Sequence, residues 1–153
     1  MRIEEIIKSN VEMSESKKIV LNILYTQNLI NDKFNEILKP YSLSGEQYNV
    51  LRILRGQKCN AVNMNLIQER MIAKNSNTTR LIDKLLIKEL VTRKVCPENR
   101  RKIEIAITEK GLNLLKELDP RVAAHEESFG LNLTNDELIQ LNTLLEKYRT
   151  LNN

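Results

Sequence analysis

The chain has 153 residues, 41% hydrophobic and 29% charged, the balance of one folded subunit and not of a disordered segment. Only 4% is aromatic, with no Trp, and 4 Gly and 3 Pro leave few turn formers, so Leu and Ile must fill the core and helix packing is favoured over a many-stranded sandwich. No run approaches the ~18 apolar residues of a membrane span, Met1-Arg2-Ile3-Glu4-Glu5 lacks an apolar signal segment, and Cys59 and Cys96 form no CxxC pattern; the expectation is a cytoplasmic protein with no membrane association, disulfide framework, metal or cofactor.

The first predicted helix covers residues 16–38, where Ile19, Val20, Ile23, Leu24, Leu29, Ile30, Phe34, Ile37 and Leu38 recur at helical spacing and Pro40 ends the run. Its apolar stripe is broad for a helix lying on one small core, which points to a second contact surface. Ser44 and Gln47 form a capping-box pattern ahead of Val50, Leu51, Ile53 and Leu54, with Gly56 as the stop. A short third helix runs from Asn63, a good N-cap, to Met71, carrying Leu66 and Ile67 inward. A fourth starts near Asn75 or Ser76 and extends to about Lys88. Residues 90–95 read as a strand by their β-branched content, residues 97–101 as a turn, and residues 102–108 as a second strand with period-2 alternation, giving one hairpin with a basic tip. Thr108 caps a fifth helix with Leu112, Leu115, Leu118 and Val122 on one face, and Asp119-Pro120 predicts a kink or break in it. Thr134 and Glu137 open the last helix with another capping box, and Leu138, Leu141, Leu145 and Tyr148 follow in a heptad-like seam suited to helix association.

Charge is unevenly placed. Residues 40–111 hold 14 Lys/Arg against 7 Asp/Glu, whereas the flanks are net acidic, so the middle of the chain calls for a polyanionic partner. Three helices and a hairpin in that order form a winged helix-turn-helix, whose second motif helix enters the major groove of DNA. At about 100° per residue, that helix sets Leu81, Ile82 and Leu85 on one side with Thr78 near them, and Ser76, Asn77, Arg80, Asp83 and Lys84 on the other with Thr79 at the edge. Arg can pair with guanine and Asn with adenine through two hydrogen bonds each. A solvated amphipathic face carries the same pattern, and the hairpin weighs against that plain reading. Arg93, Lys94, Arg100, Arg101 and Lys102 cluster there, as in an arm delivering Arg to a narrow minor groove.

Four segments in fixed order, Thr79-Arg80-Leu81-Ile82-Asp83-Lys84-Leu85, Leu90-Val91-Thr92-Arg93, Pro97-Glu98-Asn99-Arg100-Arg101 and Ile107-Thr108-Glu109-Lys110-Gly111, resemble the signature of the multiple-antibiotic-resistance regulator (MarR) family. The resemblance covers residues 44–115 in motif detail. It implies a mainly α fold with a small β-hairpin: a winged helix-turn-helix lobe at residues 40–111, flanked by dimerisation helices at residues 1–39 and 112–153. It implies a homodimer reading a pseudo-palindromic operator in double-stranded DNA, commonly a repressor, and in many members released by a small, often aromatic, inducer. Asn77, Thr79 and Arg80 match the recognition helix, Arg100 and Arg101 the wing. The apolar positions Ile23, Leu138, Leu141, Leu145 and Tyr148 are the expected dimer contacts.

Two positions depart from the family pattern. The family usually carries Asp-x-Arg at the wing, where this chain has Asn99-Arg100-Arg101; Asn can hydrogen-bond an Arg but adds no charge pairing, implying a less ordered or more salt-sensitive wing. Glu89 replaces the usual Gly before Leu-Val, and is strained if the backbone there is left-handed. These departures keep open a winged-helix protein-interaction module without operator specificity. A thiol-based redox-responsive regulator also stays open, through Cys59 or through Cys96 beside Lys94 and the wing arginines. His125-Glu126-Glu127 reads as a solvated helix face, since one His without converging ligands makes no metal site. No nucleophile is set beside a base, which argues against an enzyme.

Overall fold

The computed structural model describes residues 1–58, 60–96 and 99–150, with the side chains of Cys96 and of residues 99–102 outside the described set. The elements in chain order are α1 (Ile3–Ile6), α2 (Glu15–Leu38), a 3-10 turn (Lys39–Tyr41), α3 (Gly45–Arg55), α4 (Met64–Arg70), α5 (Thr78–Ile87), β1 (Val91–Cys96), β2 (Asn99–Ile107), α6 (Glu109–Ser128) and α7 (Asn135–Arg149). They fall into two compact units, Met1–Leu115 and Lys116–Asn153.

In the first unit, local chemistry sets the helix starts. Ser14 accepts from the Lys17 N–H, so α2 starts at Glu15, one residue ahead of the predicted start. Ser44 and Gln47 form the reciprocal capping box of α3, and Asn63 caps α4 through the Leu66 N–H. Pro40 lies in the 3-10 turn that follows α2, where its fixed φ fits and its missing N–H removes no helical bond. Gly56 caps α3 in a right-handed conformation; the left-handed residue of that exit is Lys58. Leu38, Val50, Leu51, Leu54, Ile67, Met71, Ile82, Leu85 and Ile105 form the buried core, aliphatic as the composition requires. The four-residue α1 is too short to leave a periodic signal in sequence. Its Ile3 is buried, and Lys18 of α2 reaches Glu4 at 3.2 Å and Glu15 at 2.8 Å.

The hairpin pairs Val91 with Ile107 through Val95 with Ile103, then shifts register before Cys96 pairs with Asn99. β2 therefore begins at Asn99, and the Asn99-Arg100-Arg101 segment expected in a turn has strand backbone. A further bridge joins Val62 to Ile105 by bonds of 2.9 and 2.8 Å, tying the segment ahead of α4 to the wing; one residue pair leaves no pattern to read beforehand.

The second unit holds the later part of α6 and α7. Of the kink or break expected at Asp119-Pro120, the break is not found: α6 is one helix with Pro120 inside it. Pro120 forfeits one backbone bond, but the buried positions Leu115, Leu118 and Val122 lie on both sides of it, and their burial outweighs that loss. α7 starts at the Thr134–Glu137 capping box and has no buried residue.

Candidate nucleic-acid interface

The interface is built on α4, α5 and the hairpin. Thr78, Leu81, Ile82 and Leu85 of α5 are buried, and Thr79, Arg80, Asp83 and Lys84 are exposed. Within α5 the two faces are those given by the periodicity, with Thr78 on the inner side; Ser76, expected on the outer face, does not lie on it, because the helix starts after it. The helix begins at Thr78, three residues later than the earliest predicted start. Asn77 is its N-cap, its Oδ1 accepting from the Arg80 N–H at 3.0 Å, which leaves its amide nitrogen as the free donor of that side chain. Ser76 precedes the helix and is half-buried, its hydroxyl enclosed and without a hydrogen-bond partner among the described residues.

The connection between α4 and α5 is fastened by side chains. Gln68 donates from Nε2 to the Lys74 carbonyl at 2.7 Å and accepts from the Thr78 hydroxyl through Oε1. Lys74 Nζ donates to the Glu69 carbonyl at 2.5 Å. Asn49 of α3 donates to the Met71 sulfur at 3.6 Å in the core. Sequence reasoning missed these contacts because they join residues with no periodic relation.

Arg93 is engaged within the protein: its Nη1 lies 2.8 Å from Asp83 Oδ1, linking β1 to the outer face of α5. Lys94 is exposed, opposite Glu104 in the register. The side chains of Arg100, Arg101 and Lys102, the other wing residues expected from sequence, lie outside the described residues, as do those of Cys59 and Cys96.

The base of the wing closes on one hydroxyl. Thr108 donates from Oγ1 to the Glu89 carbonyl at 2.8 Å and accepts from the Gly111 N–H at 3.1 Å, while its own N–H bonds the Leu90 carbonyl at 3.1 Å. Glu89 has φ +60°, the left-handed backbone anticipated from its place in the motif. A hydrogen bond from Lys110 at 2.9 Å holds its carboxyl below the usual range. Beside the end of α5 lies an open groove of about 470 Å³ lined by Ser42, Leu43, Ser44, Gln47, Lys84, Ile87 and Lys88. Of the expected dimer positions, Ile23 and Leu138 are half-buried and Leu141, Leu145 and Tyr148 exposed.

Three short helices, an outer face of hydrogen-bonding side chains on the third, and a following hairpin define a winged helix-turn-helix DNA-binding protein. Residues 43–103 match the family model described as MarR family. The chain is 30% identical over 129 residues to the HTH-type transcriptional regulator MhqR of Bacillus subtilis (strain 168), an alignment covering 84% of this chain and 86% of that protein. The crystal structure of a MarR transcription factor from Planctomyces limnophilus is 35% identical with a TM-score of 0.69, covering 89% of this chain and 98% of that one. MepR of S. aureus, solved in complex with DNA, is 20% identical with a TM-score of 0.77, covering 90% of this chain and 97% of that one. The chain belongs to the MarR family: it is a transcription regulator and not an enzyme. No helix among the described residues is long and apolar enough to cross a membrane.

Proposed function

We propose that this protein is a homodimeric repressor that reads a pseudo-palindromic operator with α5 and the wing and leaves it when a small molecule binds. The observation carrying the reading is the outer face of α5, where Asn77, Thr79 and Arg80 stand together at the helix start, the end that meets base edges in this motif. The DNA complex of the similarly folded MepR supports the same use of the lobe. Exposed apolar residues on α2 and α7 support a second copy as partner. BpsR of Bordetella bronchiseptica, a similarly folded protein whose DNA binding is regulated by 6-hydroxynicotinic acid, supports ligand control.

Fluorescence anisotropy tests the reading, with DNA from the gene's own upstream region against a scrambled duplex at two salt concentrations. Two subunits are expected to bind the native duplex more tightly, with affinity falling steeply as salt rises. Arg80→Ala is expected to cost about 1–3 kcal/mol on the operator and to relax base preference at one position per half-site. A variant that binds both duplexes as the parent does removes Arg80 from the interface. Equal weak binding of the parent to both duplexes overturns the operator reading.

A further inference from the structure

We propose that Gln68 is a positioning residue for sequence reading: its amide fixes the recognition helix against α4, so it sets operator discrimination without touching DNA. The inference rests on the DNA-reading function proposed above and names a residue that function requires.

The geometry carries the argument. Gln68 lies in the last turn and a half of α4 and is half-buried. Its amide has two ends of opposite polarity, and each meets its complement. Oε1 accepts from the Thr78 hydroxyl, at the first residue of α5, and Nε2 donates to the Lys74 carbonyl, in the middle of the connection, at 2.7 Å. The backbone between these points has few ties of its own, with Ser76 N–H bonded to the Ala73 carbonyl at 3.1 Å and Thr78 N–H to the Ser76 carbonyl at 3.0 Å. Thr78 is only 4% exposed, so its hydroxyl has no water to fall back on if Gln68 is removed.

Thr78 is flanked by the residues that face DNA. Asn77 precedes it, and Thr79 and Arg80 follow on the exposed side. A rotation of the helix start about its axis moves all three together. Bidentate base contacts tolerate little displacement, whereas phosphate contacts by long, flexible Lys and Arg tolerate more. Loosening the Gln68 amide therefore lowers affinity for the operator more than affinity for arbitrary DNA. The two arms can be separated. Gln68→Glu keeps an acceptor for Thr78 but turns a carboxylate oxygen toward the Lys74 carbonyl. Thr78→Val removes the hydroxyl arm and leaves the Lys74 arm intact, and Thr78→Ser preserves both.

The test uses the full chain and measures three things for Gln68→Ala, Gln68→Glu, Thr78→Val and Thr78→Ser: thermal midpoint, the ratio of upstream-region to scrambled-duplex affinity with its salt slope, and amide hydrogen exchange across residues 71–80. Gln68→Ala and Thr78→Val are expected to lose on the order of tenfold in the affinity ratio, the equivalent of one buried hydrogen bond. Their salt slope should stay unchanged, and exchange should quicken only across residues 71–80. Thr78→Ser should keep the parent's ratio, and the Gln68→Ala/Thr78→Val double variant should lose little more than the worse single one. Gln68→Glu takes the place of Gln68→Ala should the latter not fold. An unchanged ratio, or equal loss on both duplexes, overturns the proposal. Should the parent itself fail to discriminate, the operator reading fails, and hydrogen exchange alone decides the positioning role: unchanged exchange across residues 71–80 refutes it.

Discussion

Glu89 occupies a backbone conformation that an L side chain enters at a cost, and the motif explains why the chain must turn there. Its carbonyl receives the Thr108 hydroxyl, and the next residue, Leu90, starts the run into β1. Glycine is free of that steric cost because it has no Cβ. The Lys110 contact is solvent-exposed on both sides and offsets little of it. Glu89→Gly and Glu89→Ala both lose this contact, but only glycine relieves the backbone. Glu89→Gly is therefore expected to melt about 2–4 °C above Glu89→Ala, and equal midpoints by calorimetry would count against strain at this residue. Gly111 presents the opposite constraint. A Cβ there would lie 2.5 Å from the Leu90 carbonyl oxygen and 2.8 Å from Ile107 Cγ1, so α6 can pass the strand base only without one. Gly111→Ala is expected to destabilise by about 1–3 kcal/mol in denaturant titration, because a backbone atom on one side cannot swing away.

Three helix starts are legible in the sequence because each is written in two residues three apart: Ser44 with Gln47, Thr134 with Glu137, and Asn63 facing the Leu66 N–H; the caps Ser14 and Asn77 of α2 and α5 lie beside other polar residues that could cap as well, and those starts are displaced from the expected ones. The faces of α5 were legible for the same reason, since a 3.6-residue period sorts Leu81, Ile82 and Leu85 from Arg80 and Lys84 without knowledge of any neighbour. Contacts between elements were not. Nothing in the spacing of Asp83 and Arg93 announces an ion pair, so Arg93 was read only as a wing contact to DNA although it also ties the wing to the recognition helix. The local cost of Pro120 does not by itself decide whether the helix stops, because Leu115, Leu118 and Val122 are buried on either side of it. The cap of α7 allows a test at this scale. The Thr134 N–H at 2.7 Å, then its hydroxyl at 2.9 Å, hold the Glu137 carboxyl below the usual carboxylate range. A lowered folded-state value means that the cap stabilises above the unfolded value near 4.3 and loses that contribution as pH falls through the lowered one. Glu137→Gln keeps an acceptor oxygen but has no proton to gain. The parent's stability advantage over Glu137→Gln is therefore expected to shrink between about pH 5 and pH 3. A constant difference across that range would show that the carboxyl does not titrate within the cap.

At the scale of the molecule, the unresolved demand is burial. α7 has 15 residues and none is buried, while Ile139, Leu141, Leu144, Leu145 and Tyr148 are exposed. Isolated helices of about this length are marginal in water, so a stable α7 needs an apolar partner for that face. α2 carries a second unmet surface, with Ile19, Val20, Leu24, Tyr25, Leu29 and Ile30 exposed along one helix. Two apolar helical faces on a chain whose middle segment is basic support the proposed pair of subunits, in which a second copy would cover them. Replacing Leu141 and Leu145 together by Glu puts charge on the seam and leaves the winged lobe unaltered in sequence. In sedimentation velocity the parent is expected to run at twice the chain mass and the variant at the chain mass, with loss of helical circular dichroism from α7. Operator affinity is expected to fall further than in Arg80→Ala, because separated subunits forfeit the gain from two linked half-sites. A variant that stays dimeric and binds the operator as the parent does would move the interface off α7, leaving the exposed face of α2 to hold the two copies together.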